Sequence, residues 1–286
     1  MVSTEGILVF ARQFAWFAFA LYEKRQLARI IHKPAAILTP TGYNIHEYAP
    51  LDNACPRYKD AIMPTDHDKF LKPAPAVQSD HPKVIALAKE ITAGCDTRVD
   101  QARALFKYVR DTVRYSVSVP FEDLADYLAL NTLERGWGFC VQKASLLCAL
   151  ARAMGIPARL GFADIRNYLL PDYLDQMLPD KIIYCHCFLE WQLNGRWLKA
   201  TPSFDQKLTQ ERGWHLVEFS AELDMLLPAT DQEGRPHVEY LHYRGWRLGV
   251  PLEEFIQVNV KKCGPEVMDA WRALVRQTYP ARTRQA

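Results

Sequence analysis

The residues best suited to chemistry in this sequence are Cys140 and His186. Cys140 stands in Gly136-Trp-Gly-Phe-Cys140, where a glycine-containing loop meets a segment with helical periodicity. Ala144, Leu147, Cys148, Ala151 and Met154 recur at three- and four-residue steps, and Gly155 and Pro157 supply a stop. A helix is therefore predicted from about Val141 to Met154. A thiol at a helix N-terminus faces unspent backbone N–H groups and the positive end of the dipole, which favour the nucleophilic thiolate. The same N–H groups can hold an oxyanion after attack on a carbonyl. The alternative for Cys140 is a small buried residue in a tight turn.

A thiol nucleophile needs a base, usually His, and a third group to fix the imidazole. His186 lies in Ile182-Ile-Tyr-Cys-His-Cys-Phe-Leu-Glu-Trp-Gln-Leu193, followed by Asn194-Gly195 and Arg196-Trp-Leu-Lys-Ala200. Asn-Gly between two apolar runs is a strong hairpin signal. A two-residue turn sets Leu193 opposite Arg196, Phe188 opposite Thr201 and Tyr184 opposite Asp205. Thr201 and Asp205 then become the diagonal neighbours of His186 on one face of the sheet. Pro202 can end the pairing before Asp205 is reached. Cys185 and Cys187 are expected on the opposite face. Together with Cys140 and His186 they form a zinc-type donor set, but strand alternation splays them apart where a tetrahedral site wants a bend. No metal and no cofactor is expected.

These groups must be carried by a sizeable body. The chain has 286 residues, 49% hydrophobic and 24% charged, as in soluble globular proteins. Its formal net charge of +2 and the absence of a Lys/Arg block give no footprint for nucleic acid. Seven cysteines, an odd number, sit mostly inside periodic segments, which reads as a reduced, cytoplasmic thiol set. The apolar run Ile7 to Leu21 is interrupted by Arg12-Gln13 and is shorter than a membrane span. A helix packed on the body, continuing to about Ile31, is expected there. Residues 34–82 read as loop with short strands near Tyr43 to Tyr48, and His67 between two Asp residues reads as solvated. Helices are predicted from Val84 to an end at Gly94, from a cap at Asp96 or Thr97 to about Tyr115, and from Phe121 to Leu133. Residues 113–119 read as extended, Leu160–Ala163 as a strand ending at Asp164, and 165–181 as a polar excursion. Aromatic-rich extended chain through Trp246, a helix opened by Pro251 and a last helix from Pro265 to Thr278 complete the chain.

The block Gly138-Phe-Cys140 with Ala144, Leu147 and Arg152-Ala-Met-Gly-Ile-Pro-Ala-Arg159, followed by His186, Glu190-Trp191 and Asn194-Gly-Arg-Trp197, resembles the transglutaminase-like superfamily. The resemblance covers roughly residues 82–206. It implies an α+β, papain-like core in which the catalytic Cys at a helix N-terminus packs on an antiparallel sheet. Residues 1–81 would be an N-terminal helix and irregular extension, and 207–286 a C-terminal extension packed on the core. By resemblance Cys140 is the nucleophile, His186 the general acid/base, and the reaction acyl transfer or hydrolysis at an amide bond through a thioester. A protein or peptide substrate bearing a Gln or other amide is implied, with no nucleic-acid or membrane partner. The family usually has Asp-Pro-Thr four residues after the hairpin Trp, whereas here the segment is Thr201-Pro-Ser203. Asp205 carries the charge that Thr201 lacks and is the expected third member, with Thr201 and then Asp164 as alternatives. The family's Gln before the Cys is Phe139 here, leaving Trp137 and Tyr115 as candidate oxyanion donors. The animal enzymes use calcium, but no dense Asp/Glu loop is present for it. A non-catalytic binding module on the same scaffold is the competing expectation.

Overall fold

A computed structural model describes residues 68–178 and 180–279. The expected N-terminal helix, the strands near Tyr43 to Tyr48 and His67 lie outside the described residues. The architecture is α+β. A four-stranded antiparallel sheet has the order β5-β4-β3-β6, built from β3 (Ala158–Asn167), β4 (Ile182–Leu193), β5 (Arg196–Ala200) and β6 (Val238–Arg247). A two-stranded parallel pair joins β1 (Arg114–Tyr115) to β2 (Trp137–Gly138). The helices are α1 (Pro82–Ile91), α2 (Arg98–Thr112), α3 (Ala129–Arg135), α4 (Cys140–Ala153), α5 (Asp172–Met177), α6 (Gln206–Arg212), α7 (Leu252–Cys263) and α8 (Pro265–Thr278).

Everything is arranged around α4. Its residues from Cys140 to Arg152 are all buried, against the sheet on one side and α1, α2 and α3 on the other. A helix buried all round is apolar all round, yet this one carries Gln142, Lys143, Ser145 and Arg152. Each polar head finds backbone carbonyls. Gln142 donates to Pro120 and Asp126 O, and Lys143 to Arg110 and Val113 O. Ser145 donates to Ala76 O, and Arg152 to Ala158, Lys72 and Leu248 O. These buried donors are satisfied, as burial demands, and in the process they tie chain segments at 72–76, 110–113, 120–126, 158 and 248 to the central helix.

The hairpin forms in the expected register: Leu193 pairs with Arg196, Glu190 with Lys199 and Leu189 with Ala200. Asn194 and Gly195 both take positive φ (49° and 75°), the type I′ geometry that matches strand twist. Regular pairing stops at Ala200. Pro202 has no N–H to offer β4, and the Thr201 N–H turns instead to Met225 O at 2.9 Å. Other boundaries differ from expectation. β3 is longer than its apolar stretch because it is paired on both sides, by β4 and β6. The single helix expected from Phe121 to Leu133 is a short 3-10 turn, Leu124–Tyr127, followed by α3. The extended chain at 113–119 narrows to the two residues of β1.

The C-terminal helices lie over the segment that leads to Cys140. The Trp271 ring stacks on Phe121 with centroids 3.8 Å apart, and its Nε1–H donates to Val117 O at 2.7 Å. Phe255 and Trp271 flank Phe139, with centroids at 6.1 and 5.7 Å. Among the described residues no helix is long and apolar enough to cross a membrane.

Candidate active site

Cys140 is the first residue of α4 and only 4% exposed. The preceding Phe139 has no side-chain acceptor, so it cannot absorb the first N–H groups of the helix as an ordinary cap would. Gln142 reaches back to take the Phe139 N–H at 3.2 Å. The N–H groups of Cys140 and Val141 face the thiol, and so does the N–H of Cys187 on β4. The peptide that follows His186 therefore lies at the sulfur. These donors favour thiolate, but burial outweighs them and pushes the Cys140 thiol up to about 11.

His186 is buried on β4, opposite Ala163 of β3. Burial alone pushes its imidazole down to about 3. Two hydroxyls stand at Nε2: Thr201 Oγ1 at 3.4 Å and Tyr240 Oη at 3.5 Å. Behind them the chain continues, since Thr201 Oγ1 lies 3.0 Å from Ser203 Oγ and Tyr240 Oη accepts the Leu227 N–H at 3.2 Å. Thr201 is where strand alternation puts it, on the face His186 shares with Phe188. Tyr240 comes from β6, which is far away in the chain and becomes a neighbour only through β3.

Asp205 is engaged elsewhere. It caps α6, accepting the Leu208 N–H at 3.0 Å on one oxygen and the Tyr115 N–H at 2.8 Å on the other. Hairpin pairing has ended before Asp205 is reached, so the diagonal-neighbour argument does not extend to it. The signal for this was present: Asp205 precedes Gln-Lys-Leu-Thr-Gln-Glu-Arg212, and Gly213 follows at φ 66°, an N-cap and C-terminal glycine around a short helix. Lys143, three residues after Cys140, contributes to the same junction. Burial pushes its ammonium down to about 7, and the Asp205 and Asp111 charges work against that fall. Asp164 is also committed, accepting from Nε and Nη2 of Arg244 at 2.5 and 2.8 Å and from the Cys185 N–H at 3.2 Å.

Of the other candidates, Tyr115 lines a cavity with Cys140, and Trp137 is 37% exposed beneath the Arg114 guanidinium. Cys185 takes a positive φ of 58°, an uncommon conformation for a side-chain-bearing residue. It also lines the cavity, whereas His186 faces the hydroxyls. Among the described residues no group of three or more His, Cys, Asp or Glu side chains is placed to hold a metal ion.

A helix-start thiol, a strand histidine and a hairpin in this order correspond to a known arrangement. Residues 85–202 match the model of the transglutaminase-like superfamily. This segment is a transglutaminase-like domain. It contains Cys140, His186 and Thr201, while Tyr240, α7 and α8 lie beyond it. No curated protein matches the chain. Among solved structures it is similar to a candidate cysteine protease from Cytophaga hutchinsonii, with 18% identity, a TM-score of 0.39, and coverage of 65% of this chain and 55% of that one. It is also similar to the periplasmic domain of TgpA from Pseudomonas aeruginosa, with 22% identity, a TM-score of 0.37, and coverage of 50% and 48%. The chain thus spans about half the length of these two.

Proposed function

We propose that this protein is a cysteine-dependent acyltransferase or hydrolase acting at amide bonds. The observation that carries this reading is the backbone of the His186 strand standing at the Cys140 sulfur, with the N–H groups of Cys187, Cys140 and Val141 converging there. In the proposed reaction the Cys140 sulfur adds to the amide carbonyl carbon while its proton passes to His186. The oxyanion so formed is held by N–H groups at the helix start. Collapse breaks the C–N bond, and the departing amine takes the proton from His186, leaving a thioester on Cys140. Water, or a second amine, then adds to the thioester, gives its proton to His186, and releases the acid or the new amide with the thiol restored. Nδ1, turned away from the two hydroxyls, is the nitrogen assigned to these transfers.

Thr201 is proposed as the orienting group, with Asp205 moved from that role to capping α6. A hydroxyl holds the imidazole by a neutral hydrogen bond and stabilises its charged form less than a carboxylate would. A latent site, poised for substrate-driven opening, is favoured by one specific observation: Cys140 and His186 are both buried, which pushes the thiol up and the imidazole down. The unpaired thiols of Cys140, Cys185 and Cys187 are in keeping with a reducing, cytoplasmic setting. The test is covalent labelling by an amide-mimicking thiol probe, located by peptide mass spectrometry. Wild type should label at Cys140 and Cys140→Ser should not label. Equal labelling of the two would remove the nucleophile assignment.

A further inference from the structure

The thiol opens on a cavity of about 80 Å³, and we infer that this cavity is an acyl pocket for a short aliphatic group. The inference rests on the thioester reading above. The cavity walls include Leu174 and Met177 of α5, Ile183 at the start of β4, Phe255 and Met268 of α7 and α8, and Val117 just after β1. Among the described residues no Asp, Glu, Lys, Arg or His side chain lines it, and its polar side chains besides the thiols include those of Tyr115, Tyr184 and Asn259. The single carboxamide in the lining, Asn259, donates its amide NH₂ to Phe255 O of its own helix at 2.8 Å. The thiols that share the space, Cys140, Cys185 and Cys263, are held neutral by burial.

The size and chemistry set the occupant. The cavity has about half the ~150 Å³ of an engineered apolar cavity that takes benzene, which leaves room for roughly three or four carbons. Each methylene buried there is worth about fourfold in binding. A Gln-type carboxamide would leave hydrogen-bonding groups unpaired and lose at least about fivefold instead. Much of the wall lies on α7 and α8, outside the transglutaminase-like domain, so the selectivity belongs to this chain's own C-terminal helices. The group nearest the scissile carbonyl is therefore a Val- or Leu-like side chain, or a short fatty acyl chain, in place of a glutamine side chain.

p-Nitrophenyl acetate, butyrate, isovalerate and octanoate serve as acyl donors, with the nitrophenolate burst reporting acylation of Cys140. The rate should rise about fourfold per methylene to butyrate and isovalerate and fall at octanoate. Met268→Trp, which fills the space, should reverse the order and make acetate fastest, and Val267→Phe serves if that variant does not fold. Peptidyl coumarylamides divide the two sources. Leu preferred over Gln before the scissile bond by about fivefold or more assigns the pocket to a peptide side chain, and fast butyrate with no cleavage of either peptide assigns it to an acyl chain. A burst of equal size and rate from acetate through octanoate would overturn the pocket and leave the nucleophile standing. Absence of any burst would remove the nucleophile, and the pocket is then judged alone in Cys140→Ala. There, stabilisation against heat by isovaleramide over acetamide supports it, and equal stabilisation overturns it.

Discussion

Alkylation of Cys140 by iodoacetamide should report directly on how burial sets the thiol. Only the thiolate reacts. With the thiol pushed up to about 11, the ionised fraction at pH 8 is on the order of 0.001. An exposed cysteine, with a pKa near 8.5, is about a quarter ionised at the same pH. The ratio is on the order of 200, before any steric shielding by Phe139, Phe255 and Trp271 is counted. Because the folded value lies above that of an ordinary thiol, reactivity grows as pH rises, about tenfold per unit from pH 7 to pH 10, with no plateau in that range. His186 should add no inflection, since burial holds its imidazole neutral down to about pH 3. Timed quenching followed by mass spectrometry of the Cys140 peptide measures the rate, and circular dichroism confirms the fold at each pH. A flat, fast profile between pH 6 and 9 would refute the reasoning. It would mean that a thiolate–imidazolium pair exists in solution and that the site is more open than the structure shows.

Further outcomes follow from the same contacts. Thr201→Asp places a carboxylate at the 3.4 Å position on His186 Nε2 and should raise the imidazole by one to two pKa units, the worth of a charge-assisted hydrogen bond of about 1.5–3 kcal/mol; an unmoved NMR titration of the His186 ring would count against Thr201 as the orienting group. Asp205→Ala removes the cap of α6 and the acceptor for Tyr115 N–H, so urea denaturation should show a loss of about 1–2 kcal/mol while the His186 titration stays put. Gly161→Ala drives a Cβ into the Phe188 ring two residues from His186, and a stability loss of about 1–3 kcal/mol is expected in the same assay. His237 is buried with neither ring nitrogen hydrogen-bonded, and burial pushes it down to about 4. The unfolded chain binds its proton near pH 6.5 and the folded one only near 4, so stability should fall as pH drops through that window. His237→Phe should flatten the change in urea midpoint between pH 7.5 and 5, and an unaltered slope would exclude His237 as its source.

Local sequence carried the parts of this protein that local physics controls. Alternating apolar residues about Asn194-Gly195 determined the hairpin and its register to Ala200, and with it the shared face of His186 and Thr201. Three- and four-residue periodicity with a Gly-Pro stop determined α4 and put Cys140 at its start. The last helix likewise has the expected bounds, Pro265–Thr278. Asp205 marks where that kind of reasoning ends. Counting pairs assumed a ladder that Pro202 and the Met225 carbonyl terminate, so the residue with the right charge caps a helix instead. Tyr240 at the imidazole, the Cys187 N–H at the thiol and the apolar wall of α7 and α8 left no local signal at all. Each depends on pairing or packing between segments far apart in the chain. So do the two quantities that decide reactivity, the raised thiol and the lowered imidazole. Residue types and spacing determined which groups could react, whereas the depth to which tertiary packing removes them from water decided in which charge state they rest.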